Sequence, residues 1–164
     1  MSMIGNLLRV TKEELESYLA DSSLLEERIY NEDAAEDPAF SDIDKSWEGI
    51  LFLLTGQNLE SLDHPMGLVL FSGQTIDEEQ DLGYGPGQYL TPEQVKDVNA
   101  ELSKITAEDI TNRFNAKRMN ELGVYPEGWE SEGNLEYLLD YFKEVQATYA
   151  TAANNNEGII TFIN

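Results

Sequence analysis

Asp44-Lys45-Ser46-Trp47-Glu48-Gly49-Ile50-Leu51-Phe52-Leu53-Leu54-Thr55-Gly56 carries the pattern that decides the fold class. Trp47, Ile50, Leu51 and Leu54 recur at i, i+3, i+4 and i+7, which lays one apolar stripe along a helix. Asp44 stands where an N-cap side chain would accept a backbone N–H, and Gly56 where a left-handed C-terminal cap would fall. The spacing predicts a buried helix over 44–55. Leu135, Leu138, Leu139, Phe142, Val145 and Tyr149 form a second stripe and predict a long C-terminal helix. The expected core is Trp47, Ile50, Leu51, Leu54, Leu138, Leu139 and Phe142.

Outward from these helices the pattern alternates in kind. Ile4 to Val10 reads as an opening strand and Ile159 to Ile163 as a closing one. Thr11-Lys12-Glu13-Glu14 is a capping box, in which Thr11 accepts from the third helical N–H while Glu14 reaches back. Asp21 is placed to cap a second short helix running through Leu24, Leu25 and Ile29, and residues 31–41 read as an acidic loop. Gly67 to Phe71 fits either a buried strand or a short helix. Thr91-Pro92-Glu93-Gln94 combines a cap, a proline at the first helical position and a completed box. Thr106 to Phe114 and Asn115 to Leu122 predict two more short helices, the second stopped at Gly123. With 164 residues, no repeat and no long linker, the expectation is one mixed α/β (α+β) domain over 1–164, a small sheet packed by several helices.

Composition removes many chemistries. The chain has no cysteine and one histidine, His64, so disulfides, thiolate sites, a cysteine nucleophile and a multi-histidine metal site within the chain are excluded. Thirty-two acids against 10 bases leave a net charge of -22, which repels nucleic acid, whose binding rests on Lys and Arg neutralising phosphates. Half of the bases, Lys96, Lys104, Arg113, Lys117 and Arg118, fall within residues 96–118, where a solvated helix surface is the simplest account. The start shows no basic-then-apolar signal segment, and Ile50 to Leu54 is far too short to span a membrane. A cytoplasmic protein with no membrane contact and no cofactor is expected.

Few residues suggest a site. Gly83-Tyr84-Gly85-Pro86-Gly87-Gln88-Tyr89-Leu90 alternates glycine before a helix, yet Gln88 breaks the dinucleotide fingerprint and Pro86 removes an N–H that an anion nest would use. An ordered turn that positions Tyr84 and Tyr89 is the better reading. Asp42 and Asp44 fail as a calcium loop, because Trp47 and Leu53 stand where Gly and Glu are required; capping suits them better, with Lys45 able to pair with either. His64 lies in a loop without a nucleophile elbow. Tyr125 and Trp129, and the Tyr137, Tyr141, Tyr149 series, read as core or core edge.

Several of these segments occur together in an order that resembles the YfbM-like family of small bacterial proteins, a domain of unknown function. They are the opening Met1-Ser2-Met3-Ile4-Gly5, Asp42-Ile43-Asp44-Lys45-Ser46-Trp47 leading into Leu53-Leu54-Thr55-Gly56, Gly83-Tyr84-Gly85-Pro86 with Tyr89-Leu90-Thr91-Pro92, and Tyr125-Pro126 with Trp129. Gly87-Gln88 departs from the family pattern, which has a small residue and often Arg before the Tyr. The resemblance implies a single compact mixed α/β domain and assigns no catalytic residue.

The leading expectation for function is a non-catalytic acidic domain that binds a basic protein, of the immunity or inhibitor kind. Its expected contacts are the two densest acidic stretches, Glu32, Asp33, Glu36 and Asp37, and Asp77, Glu78, Glu79 and Asp81. The alternative is a small enzyme or ligand-binding domain with a cleft formed by Asp42, Asp44, Lys45 and Trp47 on one side and Tyr84 and Tyr89 on the other. An exposed acidic face bearing exposed aromatics would favour the first, and a joint cleft the second.

Overall fold

The apolar segments near the two ends of the chain are partners. The computed structural model describes residues 2–164. In it β1 (Gly5–Val10) and β4 (Gly158–Ile163) pair antiparallel along their whole length, from Gly5 opposite Ile163 to Val10 opposite Gly158. Two three-residue strands flank them, β2 (Phe40–Asp42) beside β1 and β3 (Gln88–Leu90) beside β4. The sheet order is β2-β1-β4-β3, antiparallel throughout.

Consecutive residues on the central strands are buried in opposite directions, because helices or loops cover both faces of the sheet. Leu7, Leu90 and Ile159 join the core beneath α3 (Trp47–Thr55), α4 (Pro92–Leu102), α5 (Ala107–Arg113), α6 (Ala116–Glu121) and α7 (Asn134–Asn155). Leu8, Val10, Ile160 and Phe162 join a second core beneath α1 (Lys12–Ala20), α2 (Ser23–Ile29) and the segment carrying Ile76 and Leu82. Alternating side chains along a strand supply both cores at once.

The caps behave as their sequences require. Thr11 with Glu14 and Thr91 with Gln94 form both halves of a capping box. Asp21 is an exception: the N-cap of α2 is Ser22, which makes no side-chain cap hydrogen bond, and the Asp21 carboxylate accepts the Ser23 N–H at 3.1 Å from one residue earlier. Gly56 closes α3 in the left-handed region at φ 74°. Within α3, Gly49 permits a close approach, since a Cβ there would lie 2.7 Å from a Leu138 methyl and 2.8 Å from the Trp129 ring. Six of the seven expected core residues are buried, while Leu139 is half-buried against the same cluster.

Three expectations are corrected. The acidic loop over 31–41 does not stay a loop: it contains a short 3-10 helix at Ala34–Glu36 and ends in β2, where Phe40 and Ser41 pair with Leu8 and Leu7. The helix expected from residue 44 begins at Trp47 after a 3-10 turn at Asp44–Ser46, and Asp44 caps nothing because it sits at φ 53° with its carboxylate turned to Tyr137. The turn from Gly83 gives way at Gln88 to β3, which borrows its partners from β4. Gly67 to Phe71 resolves as the 3-10 helix Pro65–Val69 and a turn.

Candidate functional site

The two acidic stretches are 40 residues apart in sequence and each is tied to α2. Asp77 accepts from the Ser22 hydroxyl at 2.7 Å, and the Gln80 amide donates to the Ser22 carbonyl at 2.9 Å, both at the helix start. At the helix end the Tyr30 hydroxyl donates to the Leu82 carbonyl at 3.1 Å. The 77–82 segment therefore runs along α2, and the 31–37 segment continues from it. The layer made by residues 11–39 and 73–87 holds 14 acids and two bases, Lys12 and Arg28.

Several of these acids build the layer itself. Arg28 donates to Glu14 at 2.7 Å, to Asp37 at 3.1 Å and to the Tyr18 hydroxyl at 3.0 Å. Burial alone would lower the Arg28 pKa, and these oxygens hold it above its ordinary value. Burial would likewise raise Asp37, but the Ala39 N–H and Arg28 hold its carboxyl below the usual range. Asp77 is lowered by the Ser22 hydroxyl and the Glu79 N–H, and Asp81 by the Gly83 and Gly85 N–H groups. Gly83 adopts φ 133°, and a Cβ there would sit 2.7 Å from the Asn164 backbone, so this turn packs against the end of β4. Glu32, Asp33, Glu36, Glu78 and Glu79 use no side-chain oxygen within the described residues. Beside them Leu19, Leu24 and Tyr30 are exposed, Tyr30 by 60%.

The other candidate residues are divided between places. Asp42 and Tyr89 stand on the two edge strands, with β1 and β4 between them, about 14 Å apart at the usual strand spacing. Asp42 accepts the Asp44 N–H at 2.8 Å, and Asp44 accepts from the Tyr137 hydroxyl at 2.6 Å. Burial first, and that hydrogen bond second, push Tyr137 far above the ordinary phenol range. Lys45 forms no ion pair among the described residues. Trp47 is core: its Nε1 donates to the Met3 carbonyl at 3.0 Å, and its ring stacks on Tyr125 and meets Phe71 edge-on. Phe71 in turn lines a hollow of about 40 Å³ with Tyr84, one link between the two segments. The structure brings Asp42, Asp44 and Tyr137 together and leaves Tyr89 apart from them.

Trp129 and Tyr149 are fully buried, as core aromatics should be. His64 accepts the Met66 N–H on Nδ1 at 3.0 Å, capping the 3-10 helix that follows it. No cluster of three or more His, Cys, Asp or Glu suited to a metal occurs among the described residues. No described helix is long and apolar enough to cross a membrane. Sequence reasoning missed Glu48, a buried carboxylate on the first turn of α3 that accepts the Tyr125 N–H at 2.7 Å and the Leu59 N–H at 2.9 Å. The pairing of an acid with an otherwise apolar helix was its one signal.

The model of the family described as "Domain of unknown function (DUF1877)" matches residues 1–162. The chain belongs to the DUF1877 family. Among solved structures, this DUF1877 chain is similar to the protein of unknown function YfbM from Escherichia coli, with a TM-score of 0.75 and 19% identity over 98% of this chain and 99% of that one. At that identity the likeness speaks to the fold, and it bears out the resemblance carried by the Asp42–Trp47 and Gly83–Pro86 segments. A comparison of this DUF1877 chain with curated proteins found no match.

Proposed function

We propose that this domain is a non-catalytic binding module, of the immunity or inhibitor kind, that receives a basic protein on the layer formed by α1, α2 and residues 73–87. The observation that carries the reading is the anchoring of both acidic stretches to α2, which also bears the exposed Leu24 and is followed by the exposed Tyr30. Charge of one sign speeds encounter with an oppositely charged partner, while an exposed aromatic supplies the burial that slows release. Asp37, Asp77 and Asp81 hold the layer together, so Glu32, Asp33, Glu36, Glu78 and Glu79 are the contacts left for a partner.

The test is capture of a basic protein from host lysate, followed by kinetics with the purified pair. Replacing the five open acids by their amides should slow association and flatten its salt dependence, because fewer charges remain to be screened over a Debye length of about 8 Å. Tyr30→Ala should act chiefly on dissociation. Capture that ignores both salt and the five-acid variant would remove the charge argument.

A further inference from the structure

Across the sheet from the acidic layer, a cavity of about 590 Å³ opens between the C-terminal end of α3, the His64–Met66 turn, the end of α4 and α5. That volume lies within the range of small-molecule sites, about 300–1,000 Å³. Its walls combine apolar groups, including Met66 and Ile105, with Glu101, Lys104, Asp109, Arg113 and the chain's sole histidine.

The polar groups are not equally available. Asp109 is committed to the capping box of α5, accepting the Thr106 N–H at 2.9 Å. Glu101 holds Lys104 at 3.0 Å. Arg113 gives one N–H to the Leu53 carbonyl at 3.1 Å and keeps four of the five donors of a guanidinium. Because His64 accepts on Nδ1, its neutral ring carries the proton on Nε2, a second donor on the same wall. The carbonyl end of α3 would by itself repel an anion, and Arg113 seated on it places a positive charge there.

We propose that this cavity binds a small organic monocarboxylate, with the carboxylate on Arg113 and His64 and the apolar body against Met66 and Ile105. A guanidinium with four donors still open matches a single negative charge, and its planar fork matches a carboxylate. Glu101 is paired with Lys104 and Asp109 with the Thr106 N–H, which leaves the Arg113 guanidinium as the cation open to a ligand, and the apolar wall selects against small inorganic ions. This site is independent of the acidic layer and of any protein that docks there.

The test is an amide-resolved NMR titration of the full chain with hexanoate, phenylacetate and hexanamide. The two acids should give saturable shifts at Gly56, Met66, Lys104 and Arg113 with dissociation constants on the order of 1 mM or tighter, and hexanamide should give none. Arg113→Gln should weaken hexanoate about tenfold or more, and His64→Ala, which leaves Arg113 in place, should weaken it less. Arg113→Lys distinguishes charge from the fork: partial recovery is expected. Equal binding of hexanamide, shifts centred elsewhere, absence of saturable shifts with both acids, or indifference to both Arg113→Gln and His64→Ala in variants that retain the wild-type amide pattern would overturn the proposal.

Discussion

Replacing Glu48 should destabilise the fold more than replacing any of the exposed acids. Glu48 is 8% exposed, and its two oxygens accept different backbone N–H groups, Tyr125 at 2.7 Å and Leu59 at 2.9 Å. The carboxylate thereby ties the first turn of α3 to two segments that have no helix or strand to satisfy them. Glu48→Ala leaves both donors without an acceptor, at about 1–3 kcal/mol each. Because both contacts are only partly buried, water recovers some of this, and the expected loss is about 2–4 kcal/mol. Glu48→Gln retains one oxygen and turns an NH2 group toward the other N–H, so about 1–3 kcal/mol is expected. Urea unfolding followed by circular dichroism measures both, with an unchanged m-value showing that the native state is still compact. Losses under about 0.5 kcal/mol for Ala and Gln alike would refute the assignment of Glu48 as a structural bridge.

Other perturbations follow from the same packing. Leu51→Ala empties a fully buried site and should cost about 2–5 kcal/mol in the same unfolding assay. Gly49→Val places a Cβ 2.7 Å from a Leu138 methyl and 2.8 Å from the Trp129 ring, and should cost about 1–3 kcal/mol despite the gain in helix propensity. Asp81 has its pKa lowered in the folded state by the Gly83 and Gly85 N–H groups. Its contribution is therefore complete above the unfolded-state value of about 3.9 and is lost as pH falls through the lower folded-state value. The stability gap between wild type and Asp81→Asn should accordingly be constant near neutrality and close in acid, measured by urea unfolding across that range.

Local signals in the sequence were enough for the helices and the central strands. Thr11 with Glu14 and Thr91 with Gln94 are self-contained, because each box is satisfied within four residues. The stripe from Leu138 to Tyr149 needs no partner to be recognised. What the sequence hides depends on distant residues. Gln88-Tyr89-Leu90 and Phe40-Ser41-Asp42 are too short to declare themselves, and become strands because β4 and β1 offer an edge. Asp44 was a plausible cap by position, but Tyr137, 93 residues away, claims its carboxylate. The acidic stretches were visible by charge alone, whereas the anchoring of the second to α2 rests on Ser22, Gln80 and Tyr30, which carry no net charge. In the sequence Arg113 is only one base in a run, since the carbonyl it binds belongs to α3.

The place of β4 has a consequence for synthesis. It follows every other element in the chain, yet it lies between β1 and β3 and contributes to both cores. A nascent chain leaving the ribosome can wind its helices early, but the sheet cannot close until residues 158–163 emerge. Until then β1 and β3 each present an unpaired backbone edge, with Leu7 and Leu8 paired only on their β2 side. The final strand thus acts as a wedge between β1 and β3, and a ribosome-stalled chain ending before Gly158 would hold every helix-forming signal without the strand that completes the sheet.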